Sequence, residues 1–138
     1  MAGFSISLAN AIINSTLRGQ AFPSIRTTYF ALFTADPTDA FTAGTEVSAA
    51  WYARKPAGAF AAPSNGVSYN STRVQFPPLT GSNVTVTHVG IVEGSSPTDP
   101  TSTLLYSQAL SSPKVMSLND VFVVDSETVS GDWTITLL

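Results

Sequence analysis

Asp125 and Glu127 stand two residues apart, just after the β-favouring run Val121 to Val124. If that strand continues, the two carboxylates share a face, and a carboxylate pair is what a glycosidase uses as acid and base or nucleophile. Acidic side chains at a strand end also keep a sheet edge from pairing with other chains, and the pair is read in that role. His88, the sole histidine, sits within Val84-Thr-Val-Thr-His-Val-Gly-Ile-Val92. In a run of strand formers it is read as a hydrogen-bonded strand residue and not as a base. With one histidine and no cysteine, a His-pair zinc motif and a thiolate site both lack ligands. Asp36, Asp39 and Glu46 offer oxygens of the kind Ca²⁺ takes, but their spacing matches no EF-hand loop, and turn roles are expected instead. Neither a G-x-S-x-G elbow nor a glycine-rich phosphate loop occurs. No catalytic residue, cofactor, metal or small-molecule substrate is therefore expected.

The elements that carry these residues belong to a chain of 138 residues and 14.5 kDa, the size of one ordinary domain. Charged residues make up 11% of it, against about 25% in an average soluble domain. Ser and Thr fill the gap at about a quarter of the chain, a bias that suits solvated strands and turns. A net charge of -3 and only six Lys plus Arg leave too little positive charge to track a phosphate backbone, so no nucleic-acid partner is expected. The first twenty residues lack a basic start followed by an apolar run, and no stretch of about 18 apolar residues occurs, so the chain reads as unexported and without a membrane partner. Without cysteine, stability must come from packing or association.

Ser7 to Leu17 reads as a helix, capped by Ser5 or Ser7, stopped at Gly19, with Leu8, Ile12 and either Ile13 or Ser15/Thr16 at helical spacing. It is short, so its apolar stripe must rest on its own domain or on a neighbour. From Thr27 the period becomes two. Tyr29, Ala31 and Phe33 alternate with Thr28, Phe30 and Leu32, which predicts a central strand apolar on both faces. Further strands are expected at Ala50 to Lys55, Gly58 to Ala61, Val67 to Phe76 in two pieces, Val84 to Glu93, Thr103 to Ala109, Val121 to Val124 and Trp133 to Leu138, with Trp133, Ile135 and Leu137 facing inward. Pro77-Pro78, Gly81-Ser82-Asn83 and Ser111-Ser112-Pro113 are among the expected breakers. The expected fold is all-β: a β-sandwich or jelly roll of seven or eight short strands over 21–138, with residues 1–20 as an N-terminal helical arm. Thr34 to Glu46 and Gly94 to Thr103 read as surface loops without secondary structure, the natural binding fingers of such a domain.

Taken in order, Tyr29-Phe-Ala-Leu-Phe-Thr-Ala-Asp-Pro37, Glu46-Val47 leading to Tyr52-Ala53-Arg54, Val74-Gln-Phe-Pro77, Thr87-His-Val-Gly-Ile91 and Leu104-Leu-Tyr-Ser-Gln-Ala-Leu-Ser-Ser-Pro113 form a series. It resembles a family of small structural proteins of tailed bacteriophages and prophages, often labelled tail fibre protein. The chain departs from that family's pattern at Ser48-Ala49-Ala50 and at Val92-Glu93. The resemblance implies a non-enzymatic virion component, either a capsid cement (decoration) protein or a tail appendage. No repeat or coiled-coil stem is seen, so the first expectation is a cement protein on the capsid surface, made in the host cytoplasm. Its partners are then the major capsid protein and itself, as a dimer or trimer, and it stabilises the shell by binding only the assembled form. The alternative is a small tail-fibre or tail-tip adhesin for host-surface glycan. The interface candidates are Leu8, Ile12 and Ile13 on the helix, the aromatics Trp51 and Tyr52, and Arg54, a cation set among strand residues.

Overall fold

The computed structural model describes residues 3–126 and, for the backbone alone, 134–136. The chain enters through β1 (Gly3–Phe4) and turns at once into α1 (Ile6–Arg18). Ser5 is the N-cap: its Oγ accepts from the Leu8 N–H at 3.1 Å, satisfying a donor that the first turn leaves free. Gly19 ends the helix at φ 66°, and its N–H reaches back to the Asn14 carbonyl. Then follow β2 (Thr27–Phe33), β3 (Lys55–Pro56), β4 (Val67–Tyr69), β5 (Val74–Gln75), β6 (Val84–Gly94), β7 (Thr103–Met116), β8 (Val123–Val124) and β9 (Thr134–Thr136). The fold is all-β with an N-terminal helix, as expected.

Five strands form one open antiparallel sheet in the order β1-β7-β6-β2-β3, while β4 pairs with β9 and β5 with β8 as separate ribbons. Two strands are longer than the short ones expected, β6 at 11 residues and β7 at 14. Ser111-Ser112-Pro113 does not end a strand. Between Val86 and His88 the partner on β7 moves from Lys114 to Ala109, so the intervening residues bulge and β7 resumes beyond them. Conversely, of Ala50 to Lys55 only Lys55 joins a strand, because the Tyr52 N–H bonds back to Ala49 in a tight turn that drives Trp51 into the core. Gly58 to Ala61 contributes a single bridge, Phe60 to Asn70.

β2 lies inside the sheet between β6 and β3 and is buried on both faces, as its alternation predicts. Phe30 and Leu32 join Val89, Ile91 and Leu105 on one face, packed against Phe76, Leu79, Phe122 and Val124 from the β5–β8 side and against Leu8 from the helix. Tyr29, Ala31 and Phe33 meet Val92 and Leu104 on the other face, under Phe41 of the loop that follows β2. Deleting a side chain such as Phe30 from this core costs about 3–5 kcal/mol. The Gly90 of the Thr-His-Val-Gly-Ile piece has a packing reason. A Cβ there would stand 2.8 Å from the Phe33 ring and 3.1 Å from the Tyr106 carbonyl, so only glycine lets β2 and β7 flank β6 this closely.

Trp133, Leu137 and Glu127 lie outside the described residues, and Ile135 is described by its backbone alone.

Candidate functional site

The two long segments expected as fingers leave opposite ends of the β2–β6 ladder, 34–46 beyond Phe33 and 94–103 beyond Gly94, and come together along shared clefts, each held by an arginine. Glu46, at the end of the 34–46 segment, forms a bridge to Phe33 at the end of β2. Its carboxylate accepts from the Tyr52 hydroxyl at 2.7 Å and from two nitrogens of Arg54, Nε and Nη2, each at 2.7 Å. The parallel N–H pair is the geometry a guanidinium fork offers a carboxylate. The Tyr52 oxygen in turn accepts from the Leu32 N–H at 3.1 Å, and its ring stacks on Phe76 with centroids 6.1 Å apart. Burial first, and then the neighbouring Glu46 charge, push the Tyr52 phenol well above its ordinary value, so it remains a donor. Arg54 also reaches across to Ser102 Oγ at 2.7 Å, which ties the first segment to the second.

The 94–103 segment is held from its other side by Arg26, which precedes β2. Arg26 Nε and Nη2 donate to the two oxygens of Glu93 at 2.9 and 2.8 Å, and Nη1 donates to Asp99 Oδ2 at 2.9 Å. Asp99 then organises the loop from within, accepting from the N–H and hydroxyl of both Ser95 and Thr101 at 2.7–2.9 Å. Hydrogen bonding to Arg26, helped by the Thr103 hydroxyl, draws the Glu93 carboxyl down to about 2. The Ser95 N–H and the Thr101 donors hold Asp99 lower still. Between the two clamps lies a shallow cleft of about 270 Å³ lined by Tyr52, Arg54, Pro97 and Asp99 among others. Every charged group in it is already paired, so what the arrangement does is fix loop shape: the fingers are rigid ledges, not free strands of chain.

The residues first examined for chemistry scatter over the fold. His88 lies on β6 with Nδ1 2.8 Å from Thr87 Oγ1, and its Nε2 is 3.9 Å from Asp36 Oδ1, beyond hydrogen-bond reach. Asp36 makes an Asx turn to the Thr38 N–H at 2.8 Å. Asp125 pairs with Arg73 at 2.9 Å on the open surface. Among the described residues no group of three or more His, Cys, Asp or Glu side chains stands close enough to hold a metal ion.

Of the interface candidates, Leu8 and Trp51 are buried in the domain's own core, Ile12 and Tyr52 pack against it, and Arg54 is engaged with Glu46. Ile13 is half exposed, as is Ile6, and Leu17 is the most exposed large apolar side chain. The clamp joins Arg26, Glu93 and Asp99 from separate segments, and of these the sequence marks only Glu93, as part of the Val92-Glu93 departure from the family pattern, with no sign of its partner. A comparison with curated proteins finds no match. Over residues 3–132 the chain matches the family model described as Podophage GP4 fiber I protein gp80. With nearly the whole chain so covered, and with the motif series Tyr29 to Pro37, Tyr52-Ala-Arg54 and Thr87 to Ile91 building the sheet and the Glu46–Arg54 clamp, the chain belongs to this family of phage virion structural proteins.

Proposed function

We propose that the protein is a non-enzymatic subunit of a virion fibre, working by contact and not by turnover. The observation that carries this reading is the family match across residues 3–132. The geometry supports it. Loops pinned by Arg54 and Arg26 present a preformed surface whose ordering entropy is already spent on folding, which is what a subunit that binds by shape requires. Cryo-electron microscopy of the particle is the test: density for this chain in a tail-associated appendage is expected, and density confined to the head shell overturns the fibre assignment.

The second reading is a capsid cement protein that bridges neighbouring major capsid proteins. It is favoured by the apolar side chains that α1 turns to solvent, together with a surface poor in charge, since such a surface loses little desolvation energy when wedged among other proteins. Heads assembled with and without the protein separate the two: greater thermal stability of the loaded heads supports cement, and no binding to heads removes it.

A further inference from the structure

We propose that the outward face of α1 is a contact surface for a second copy of this chain, with the two helices packed antiparallel about a two-fold axis. Leu8 and Ile12 turn toward the sheet, and the capping Ser5 is buried beneath them. On the opposite side Ile6, Ile13 and Leu17 follow one another at spacings of seven and four. They therefore form a single stripe, about 16 Å long at a rise of roughly 1.5 Å per residue. These three side chains are 53%, 50% and 80% exposed. A surface helix ordinarily turns polar residues to solvent, so isoleucine and leucine on the far side from its own core mark a face that is covered when the protein works.

Two features select a second copy as the cover. The first is charge. Arg18 is the sole charged side chain within residues 1–25, and its guanidinium is held by Asn14 Oδ1 at 2.8 Å. The exposed Asp39 lines the groove at the N-terminal end of the face, so two such faces laid antiparallel keep their acids at opposite ends and meet without like-charge repulsion. The second is shape. A groove of about 360 Å³, lined by Ile6, Phe41 and Leu104 among others, opens at the N-terminal end of the stripe, while Leu17 stands out as a knob at the C-terminal end. In an antiparallel pair each copy's Leu17 reaches the other's groove, so one symmetry operation fills both and the contact closes on itself. The contact is independent of where in the virion the protein resides.

Sedimentation of the full chain is expected to give twice the 14.5 kDa protomer mass. Leu17→Glu is expected to sediment as a folded protomer with the circular-dichroism spectrum of the wild type, because Leu17 is 80% exposed on its own domain, and its melting temperature is expected to lose the concentration dependence that a dimer confers. Geometry is read by cross-linking, with no background because the chain has no cysteine. The double variant Ile6→Cys/Leu17→Cys is expected to oxidise to a covalent dimer, and each single variant to remain uncross-linked. A wild-type protomer or trimer overturns the proposal, as does a Leu17→Glu variant that still dimerises, or single-cysteine variants that cross-link as well as the double, the mark of parallel helices. A wild-type protomer that instead binds another virion protein, with binding lost in Leu17→Glu, assigns the face to that partner and overturns self-association.

Discussion

The two arginine clamps perform one task under different conditions. Arg54 takes its acid from eight residues away, and the pair is largely enclosed, with side chains 11% and 21% exposed. Arg26 is 38% exposed and takes its acids from 67 and 73 residues away, joining the start of β2 to the end of β6 and to the loop beyond it. Arg26 stands more open to water than Arg54, and its buried acids Glu93 and Asp99, 9% and 5% exposed, have other donors in Thr103, Ser95 and Thr101, so the enclosed pair matters for whether the domain stays folded, and the open one for what shape its loop holds. Both leave their carboxylates saturated with donors. That is the pattern of a scaffold, since a carboxylate meant to act on a ligand needs a free oxygen.

This contrast is broken most sharply at Arg54. Arg54→Ala strands Glu46 and is expected to cost about 2–3 kcal/mol, the figure for breaking a buried pair reduced for partial exposure. Denaturant melts measure it, and a cost under about 0.5 kcal/mol removes the distinction between enclosed and open clamps. Tyr52→Phe keeps the ring on Phe76 but leaves the Leu32 N–H without its acceptor and Glu46 with one donor fewer, for an expected loss of about 1–2 kcal/mol in the same melts.

At the Arg26 clamp the expected signature is pH dependence. Glu93 has a folded value drawn from 4.5 to about 2. In that window the unfolded chain binds the proton and the folded one does not, so stability falls as pH drops from about 4.5 toward 2 and is flat above. Glu93→Gln is expected to flatten the part of the melting-temperature profile that it contributes, and an unchanged profile would dissociate Glu93 from the acid response. Smallest in global stability is Arg26→Gln. Its expected effect is faster amide hydrogen exchange confined to 94–103, with the rest of the sheet protected as before. Exchange that rises across the whole sheet would make this clamp as much a fold determinant as the other.

How much of this was legible in the sequence differs element by element. β2 and β6 announced themselves through period-two alternation, and the helix through Ser5, Leu8 and Gly19, because these signals are local and each residue carries its own geometric preference. Arg54 stands out in the sequence as a cation set among strand residues, and its acid, Glu46, lies only eight residues away. The pairing of Arg26 with Glu93 and Asp99 is not legible, because nothing local distinguishes a charge that will be met by another some seventy residues later. The same limit explains the 50–55 segment. Its apolar alternation reads as a strand, but a turn at Ala49 to Tyr52 buries more by putting Trp51 into the core and Tyr52 against Phe76. Burial overrode propensity, as it does wherever a large aromatic finds a prepared pocket.

The sequence by itself determined the class of fold, the helix with its caps, the apolar faces of the central strands and the exclusion of thiolate and His-pair chemistry, since each follows from residue type and short-range spacing. Tertiary structure alone decided which strand crosses Pro113 by bulging, which carboxylates the two arginines hold, and which face of α1 is left in solvent. Those are outcomes of long-range pairing. They depend on which surfaces arrive together when the chain closes, and no local preference encodes that.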